Sequence, residues 1–187
     1  MKFSVYIAVS LDGFIAREDG RLDWLPGAEP DSPPDVVAEN GEAAEDYGFH
    51  AFMETVDVLV MGRKTFEKVL SLGAWHYGDT RVIVLSSSPV TIPPKLAATV
   101  EHRSSSPSRL KEELTAAGVQ HAYVDGGVTI QRFLKAGLVD QLIITRIPVL
   151  IGNGIPLFGP LEQDIPLRHR ATLQFPSGFV QSRYEIA

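Results

Sequence analysis

Three short runs of this chain, Val5 to Val9, Val58 to Met61 and Arg81 to Leu85, are apolar at almost every successive position rather than at alternate ones. A strand with one wet face alternates, whereas a continuous run needs cover on both faces, and a parallel sheet with helices above and below supplies it. His121 to Val124 is a fourth such run. Helical candidates fill the intervals: Val36 to Thr55, Lys64 to Leu72, Ser108 to Ala117 stopped by Gly118, and Val128 to Ala136 stopped by Gly137. This alternation predicts an α/β fold with a mostly parallel central sheet. After Gln141 to Ile151 come two β-rich runs around a Pro176-Ser177-Gly178 turn, Leu167 to Phe175 and Phe179 to Ile186, expected to extend the sheet as antiparallel C-terminal strands. Leu25 to Asp35, Ser86 to Lys95 and Arg103 to Pro107 read as loops. The 187 residues suit one hydrophobic core, and no repeat or linker divides them, so a single domain over 1–187 is expected.

Charge and composition narrow the function. A net charge of −6 argues against a nucleic-acid binder, which gathers positive charge over a whole face, so any anion site must be local. With no cysteine there is no disulfide framework, thiolate nucleophile or cysteine-held zinc, and a reducing cytoplasm fits. The five histidines are scattered without metal-ligand spacing, so no metal is expected. The apolar start, Met1 to Val9, is cut by Asp12-Gly13 and reads as a first strand, not a secretory signal. No apolar stretch approaches the roughly 20 residues that span a bilayer, so no membrane partner is expected.

Four segments could carry chemistry. In Met61-Gly62-Arg63-Lys64-Thr65 an apolar run stops at a glycine, and two cations follow where a helix begins. A helix N-terminus already carries partial positive charge, so the cations there cost stability unless an anion such as a phosphate accepts them; the bland alternative is a strand-to-helix turn with solvated side chains. In Tyr123-Val124-Asp125-Gly126-Gly127-Val128-Thr129 a second strand runs through paired glycines into a helix, either as a tight turn or to bring bare N–H groups up to a pyrophosphate. Two such steps on neighbouring parallel strands would put both helix starts at one sheet edge, where open α/β folds bind nucleotides. Leu85-Ser86-Ser87-Ser88 brings hydroxyls to the same edge, for a phosphate or ribose or as a polar loop. Ser10 to Ala16 follows the first strand, with Asp12-Gly13 as turn chemistry or as a loop closing over a ring between Ala8 and Ile15. Glu42, Glu45 and Asp46 could add an acid to that cleft. Neither a six-residue dinucleotide fingerprint nor a Gly-Lys-Thr phosphate loop is present, and no nucleophile elbow, so a bound cofactor is expected to carry the chemistry.

Together these residues resemble the dihydrofolate reductase-like family, in particular the RibD C-terminal domain, the reductase domain of bacterial riboflavin biosynthesis. Ser10-Leu11-Asp12-Gly13-Phe14-Ile15-Ala16 looks like its first-strand loop, Val60 to Thr65 its cofactor-phosphate step and Val124 to Gly127 its second glycine turn; Phe133 to Leu142 and Pro148 to Phe158 are the most RibD-like. The resemblance implies a three-layer fold and NADPH as cofactor. Gly62, Arg63, Lys64 and Thr65 would meet its phosphates, Leu85, Ser86 and Ser87 the 2′-phosphate side, and Gly126, Gly127, Val128 and Thr129 the pyrophosphate. Ala8 and Ile15 would flank the nicotinamide, and Asp12 and Asp46 would face the substrate. Leu22-Asp23-Trp24-Leu25-Pro26 is similar to a folate-reductase segment but carries Asp23 in place of a proline, and a Pro-rich insertion follows. The implied activity is hydride transfer from NADPH to a pterin-, pyrimidine- or related heterocyclic small molecule, with a homodimer as the implied assembly. The alternative is a non-catalytic NADP(H)-binding or regulatory module of the same fold.

Overall fold

A computed structural model describes residues 1–33 and 46–187. Eight strands form one sheet. In spatial order they are β5 (Val100–Arg103), β4 (Arg81–Leu85), β3 (Val58–Gly62), β6 (His121–Asp125), β1 (Lys2–Ser10), β7 (Gln141–Ile147), β10 (Val180–Ile186) and β9 (Leu167–Gln174). The first six run parallel, so their C-terminal ends share one edge; β10 and β9 are antiparallel additions. A separate two-stranded flap pairs β2 (Phe14–Ala16) with β8 (Ile155–Pro156).

The continuous runs are buried on both faces, as their pattern requires. In β3, Val58 and Val60 face a core shared with α3 (Pro107–Ala116) and α4 (Gly127–Lys135), through Leu110, Leu114, Ile130 and Phe133. Leu59 and Met61 face the opposite core, shared with α1 (Phe49–Met53) and α2 (Arg63–Ser71), through Phe52 and Phe66. Helix, sheet and helix make three layers. A third, smaller cluster gathers Trp24, Ile147 and Phe179 with Ala8 and Tyr47 near the C-terminal ends of β1 and β7.

Several sequence expectations shift. The helix read over 36–55 is helical, within the described residues, only at Phe49–Met53, and its portion over 36–45, with Glu42 and Glu45, lies outside them. What stops it running back from Phe49 is a turn, with Tyr47 at φ 55° and Gly48 at φ 84°. Both angles lie in the left-handed region that no right-handed helix passes through. The run from Gln141 joins β1 as a parallel strand and ends at Ile147, before Pro148; only the two later runs are antiparallel. Strand β5 lay beside the expected loops unrecognised, because Val100-Glu101-His102-Arg103 has one apolar residue.

Candidate active site

Strands β3 and β6 are neighbours, with Met61 opposite Asp125, and their following helices leave in opposite directions: α2 toward β4 on one face, α4 toward β7 on the other. This divergence opens a crevice at the carboxyl ends of the two strands, the usual ligand position in open α/β sheets. The two turns flanking it are interlocked. A Cβ on Gly126 would lie 2.1 Å from Thr65 Oγ1, and one on Gly62 would lie 2.9 Å from Thr129 Oγ1. Each turn therefore uses a glycine to seat the threonine of the other's helix. Gly126 also sits at φ 86° and ψ 132°, conformational space that essentially only glycine occupies.

Neither helix start is capped by a side chain, whereas α3 is capped by Ser106, which accepts from the Arg109 amide. The first amides of α2 and α4 thus lack the side-chain partner that helix starts ordinarily recruit, and both dipoles converge on one place. Arg63 and Lys64 are exposed at the α2 start, where, among the described residues, Arg63 has only a long 3.7 Å contact to Glu67. Ser86 and Ser87 follow β4 at the same edge, beyond the half-buried Leu85. The Ser86 amide donates to the Arg103 carbonyl, and its hydroxyl accepts from the Ser88 amide.

The side chain that distinguishes the crevice chemically is Asp125, at the end of β6. Removal from water pushes its carboxyl up to about 6, against the lowering effect of the Gly126 amide, which donates to Oδ1 at 2.8 Å, and of Tyr123. Burial pushes the phenols of Tyr77 and Tyr123 up, and the charge of Asp125 adds to the effect. Around it stand aromatic rings: Tyr6 packs on Phe49 and Phe52, and Tyr123 on the same two rings, with centroids 4.9–6.4 Å apart. Sequence reasoning read Asp125 only as part of a glycine turn. The available signal was its place as the last residue of a continuous apolar run.

The two acids expected to face substrate both accept hydrogen bonds from within the chain. Asp12 accepts the Ser10 hydroxyl at 2.5 Å and the amides of Ile151 and Gly152 at 3.1 and 2.8 Å, which hold its carboxyl below the usual range and tie the β1–β2 loop to the β7–β8 loop. Asp46 accepts the amides of Gly48 and His50 at the start of α1, with the same effect on its carboxyl. An Asp-Gly pair and an Asp three residues before a helix are good backbone-satisfying chemistry, and that demand takes both carboxylates. Ala8 lies on β1 beside the Trp24 cluster, and Ile15 rests on α4, its Cδ1 2.8 Å from where a Gly127 Cβ would stand. Val128 is exposed in the first turn of α4, and Thr129 is buried.

Sheet order, three layers and the paired glycine turns define a dihydrofolate reductase-like architecture. The chain belongs to the RibD C-terminal domain family, whose model matches residues 2–181. It is 36% identical over 177 residues to the uncharacterized protein YwjB of Bacillus subtilis, covering 93% of this chain and 92% of that one. Against the riboflavin biosynthesis protein RibD of Corynebacterium ammoniagenes it is 29% identical over 172 residues, 84% of this chain but 46% of that protein. Among solved structures, a Shewanella protein provisionally linked to riboflavin biosynthesis superposes with TM-score 0.87 at 39% identity, covering 100% and 99% of the two chains. Dihydrofolate reductase from Enterococcus faecalis, complexed with NADP(H), superposes with TM-score 0.62 at 19% identity over 99% of this chain and 96% of that one, a likeness of fold.

Proposed function

We propose that this chain is an NADPH-dependent reductase that transfers hydride to a C=N or carbonyl group of a pterin-, pyrimidine- or related heterocyclic substrate. The observation that carries this reading is the interlocked pair of uncapped helix starts with Arg63 and Lys64 beside them. Gly126 and Gly127 present backbone without side chains, and the surroundings of Gly126 leave no room for a Cβ, as a cradle for a pyrophosphate requires. Arg63, Lys64 and Thr65 would meet the cofactor phosphates, and Ser86 and Ser87 the 2′-phosphate side. Ala8 and Ile15 would border the nicotinamide, which supplies the hydride when bound. Asp125 would hold a proton at its carboxyl within reach of the substrate nitrogen or oxygen, and the aromatic rings would align a flat ring and exclude water. Asp12 becomes a positioning residue that latches the flap, and Asp46 a helix cap.

Replacing Arg63 and Lys64 together with alanine tests the cofactor assignment. NADPH affinity should fall at least tenfold more than NADH affinity, measured by calorimetric titration of the folded variant. Equal losses would move these cations to the pyrophosphate, and no loss would remove them from the site. The reading extends to a cytoplasmic homodimer working as one domain per chain. All eight residues of the edge strand β9 are exposed, with Leu167 and Leu173 among them, and an uncovered edge of that length is what a second copy would cover. A monomer in sedimentation at micromolar concentration would sink that extension alone.

A further inference from the structure

We propose that Glu29 and Lys68 form an ionic latch that holds residues 22–33 as a strap over the crevice, and that a ligand reaches or leaves the Asp125 end only when this latch opens. The inference takes the crevice as the ligand site, as the reductase reading does, and adds how access to it is controlled. The strap is anchored at two places. At one, Trp24 is buried with Ile147, Phe179 and Ala8 near the C-terminal ends of β1 and β7. At the other, Glu29, in the Pro-rich insertion after Pro26, binds Lys68 of α2.

Sheet order puts the crevice beneath the strap. Strand β6 lies between β1 and β3, and α2 follows β3, so a segment fixed at these two places stands over the end of β6, where Asp125 is. The parts share one face of the sheet. Ala8 is two residues from Tyr6 and Asp125 two from Tyr123, and both tyrosines pack in the cluster that contains Phe66 of α2. Lys68 comes one turn after Thr65, the residue fitted against Gly126, and so lies on the crevice side of its helix.

Between its anchors the strap is stitched to itself. The amides of Leu25, Ala28 and Ser32 donate to the carbonyls of Leu22, Leu25 and Glu29, and the Gly27 amide donates to the Pro33 carbonyl. The Ser32 hydroxyl donates to the Leu22 carbonyl and accepts from the Glu29 amide. Among the described residues, none of the strap's backbone groups bonds to a strand or helix, so it can lift as one unit without breaking a backbone bond to the body. Arg17, 2.7 Å from Asp23, marks the hinge at its near end. What resists lifting is the Trp24 packing and the pair at Glu29. The Glu29 side chain is 9% exposed, less than any other side chain in an ion pair among the described residues. Removing either partner of so dry a pair leaves an uncompensated charge, which water reaches only if the strap moves.

The chain has no cysteine, so Asp125→Cys puts a single thiol at the floor of the crevice. Its rate of reaction with 4,4′-dithiodipyridine, an uncharged reagent, reads access in the full chain and needs no cofactor. Lys68→Met and Glu29→Gln, each added to that background, should raise the rate at least about tenfold. Arg170→Gln, which breaks an exposed pair with Glu185 at the far edge of the sheet, should leave it unchanged. Acrylamide quenching follows the strap itself, because the chain has two tryptophans. With Trp75→Phe, Trp24 should be quenched more strongly in both latch variants; with Trp24→Phe, Trp75 should be quenched as in the parent, which separates release of the strap from general unfolding. A labelling rate or a Trp24 quenching that neither latch variant changes would overturn the inference, as would an equal change in Arg170→Gln or at Trp75. Calorimetric titration of the wild type with NADP⁺ tests the reductase reading separately: a tenfold rise in labelling without NADP⁺ binding would keep the latch and remove the cofactor.

Discussion

Gly126→Ala puts a number on the interlock between the two turns. The new methyl would sit 2.1 Å from Thr65 Oγ1, 3.1 Å from Thr65 Cβ and 3.5 Å from Thr65 Cγ2, so rotating the threonine trades one close contact for another and leaves the Cβ contact in place. Overpacking of this kind costs about 1–3 kcal/mol. The backbone at φ 86° and ψ 132° adds strain of about 1–3 kcal/mol for any residue with a Cβ. The sum is roughly 4 kcal/mol, a large part of the 5–15 kcal/mol that holds a typical domain folded. Gly62→Ala serves as the internal control. Its φ of −82° is ordinary and its single close contact, Thr129 Oγ1 at 2.9 Å, predicts a loss of about 1 kcal/mol. Urea unfolding of both variants, compared by midpoint at constant slope, gives the two losses. Adding Thr65→Ala to Gly126→Ala should recover the packing share, about 1–3 kcal/mol, while the backbone strain persists. A Gly126→Ala loss below about 1 kcal/mol, or no recovery from Thr65→Ala, would refute the interlock.

Asp125→Asn should change the pH dependence of stability with a defined sign. The folded carboxyl stands at about 6 against an ordinary 3.8, so the wild type loses stability as pH rises from about 4 through 6, by up to about 3 kcal/mol, and asparagine does not. Urea midpoints of the two proteins should diverge in favour of the variant between those pH values, and a constant difference would remove the buried-carboxyl assignment. In turnover, the wild-type rate should decline above about pH 6 as the proton is lost, a limb absent from the variant. Asp46→Ala should cost about 1 kcal/mol as a lost cap and leave the KM for NADPH unchanged. A tenfold fall in kcat for a folded Asp46→Ala protein would return Asp46 to the reacting centre.

Much of the fold was legible because burial on both faces leaves a mark at every residue of a strand. Val58 to Met61 and Val82 to Val84 could hardly be anything other than central strands. Strand β5 and the flap strands were not legible, since an edge position or a two-residue pairing asks little of the side chains. The site divided along the same line. Glycines and cations at helix starts are readable because their chemistry is local, and Gly62, Arg63, Lys64, Gly126 and Gly127 all come to one crevice. The partners of the carboxylates were not legible, because they are set by what approaches from elsewhere in the chain. Asp12 meets amides 139 and 140 residues away, while Asp125 owes its elevated carboxyl to burial that only the assembled layers create.

Ile15, Ile155 and the Pro156 carbonyl crowd the side of Gly127 that faces the flap. The start of α4 is therefore crowded on that side, where any residue larger than glycine at position 127 would meet the flap. The length of the side chain at position 15 therefore sets how closely the flap can settle on this helix start.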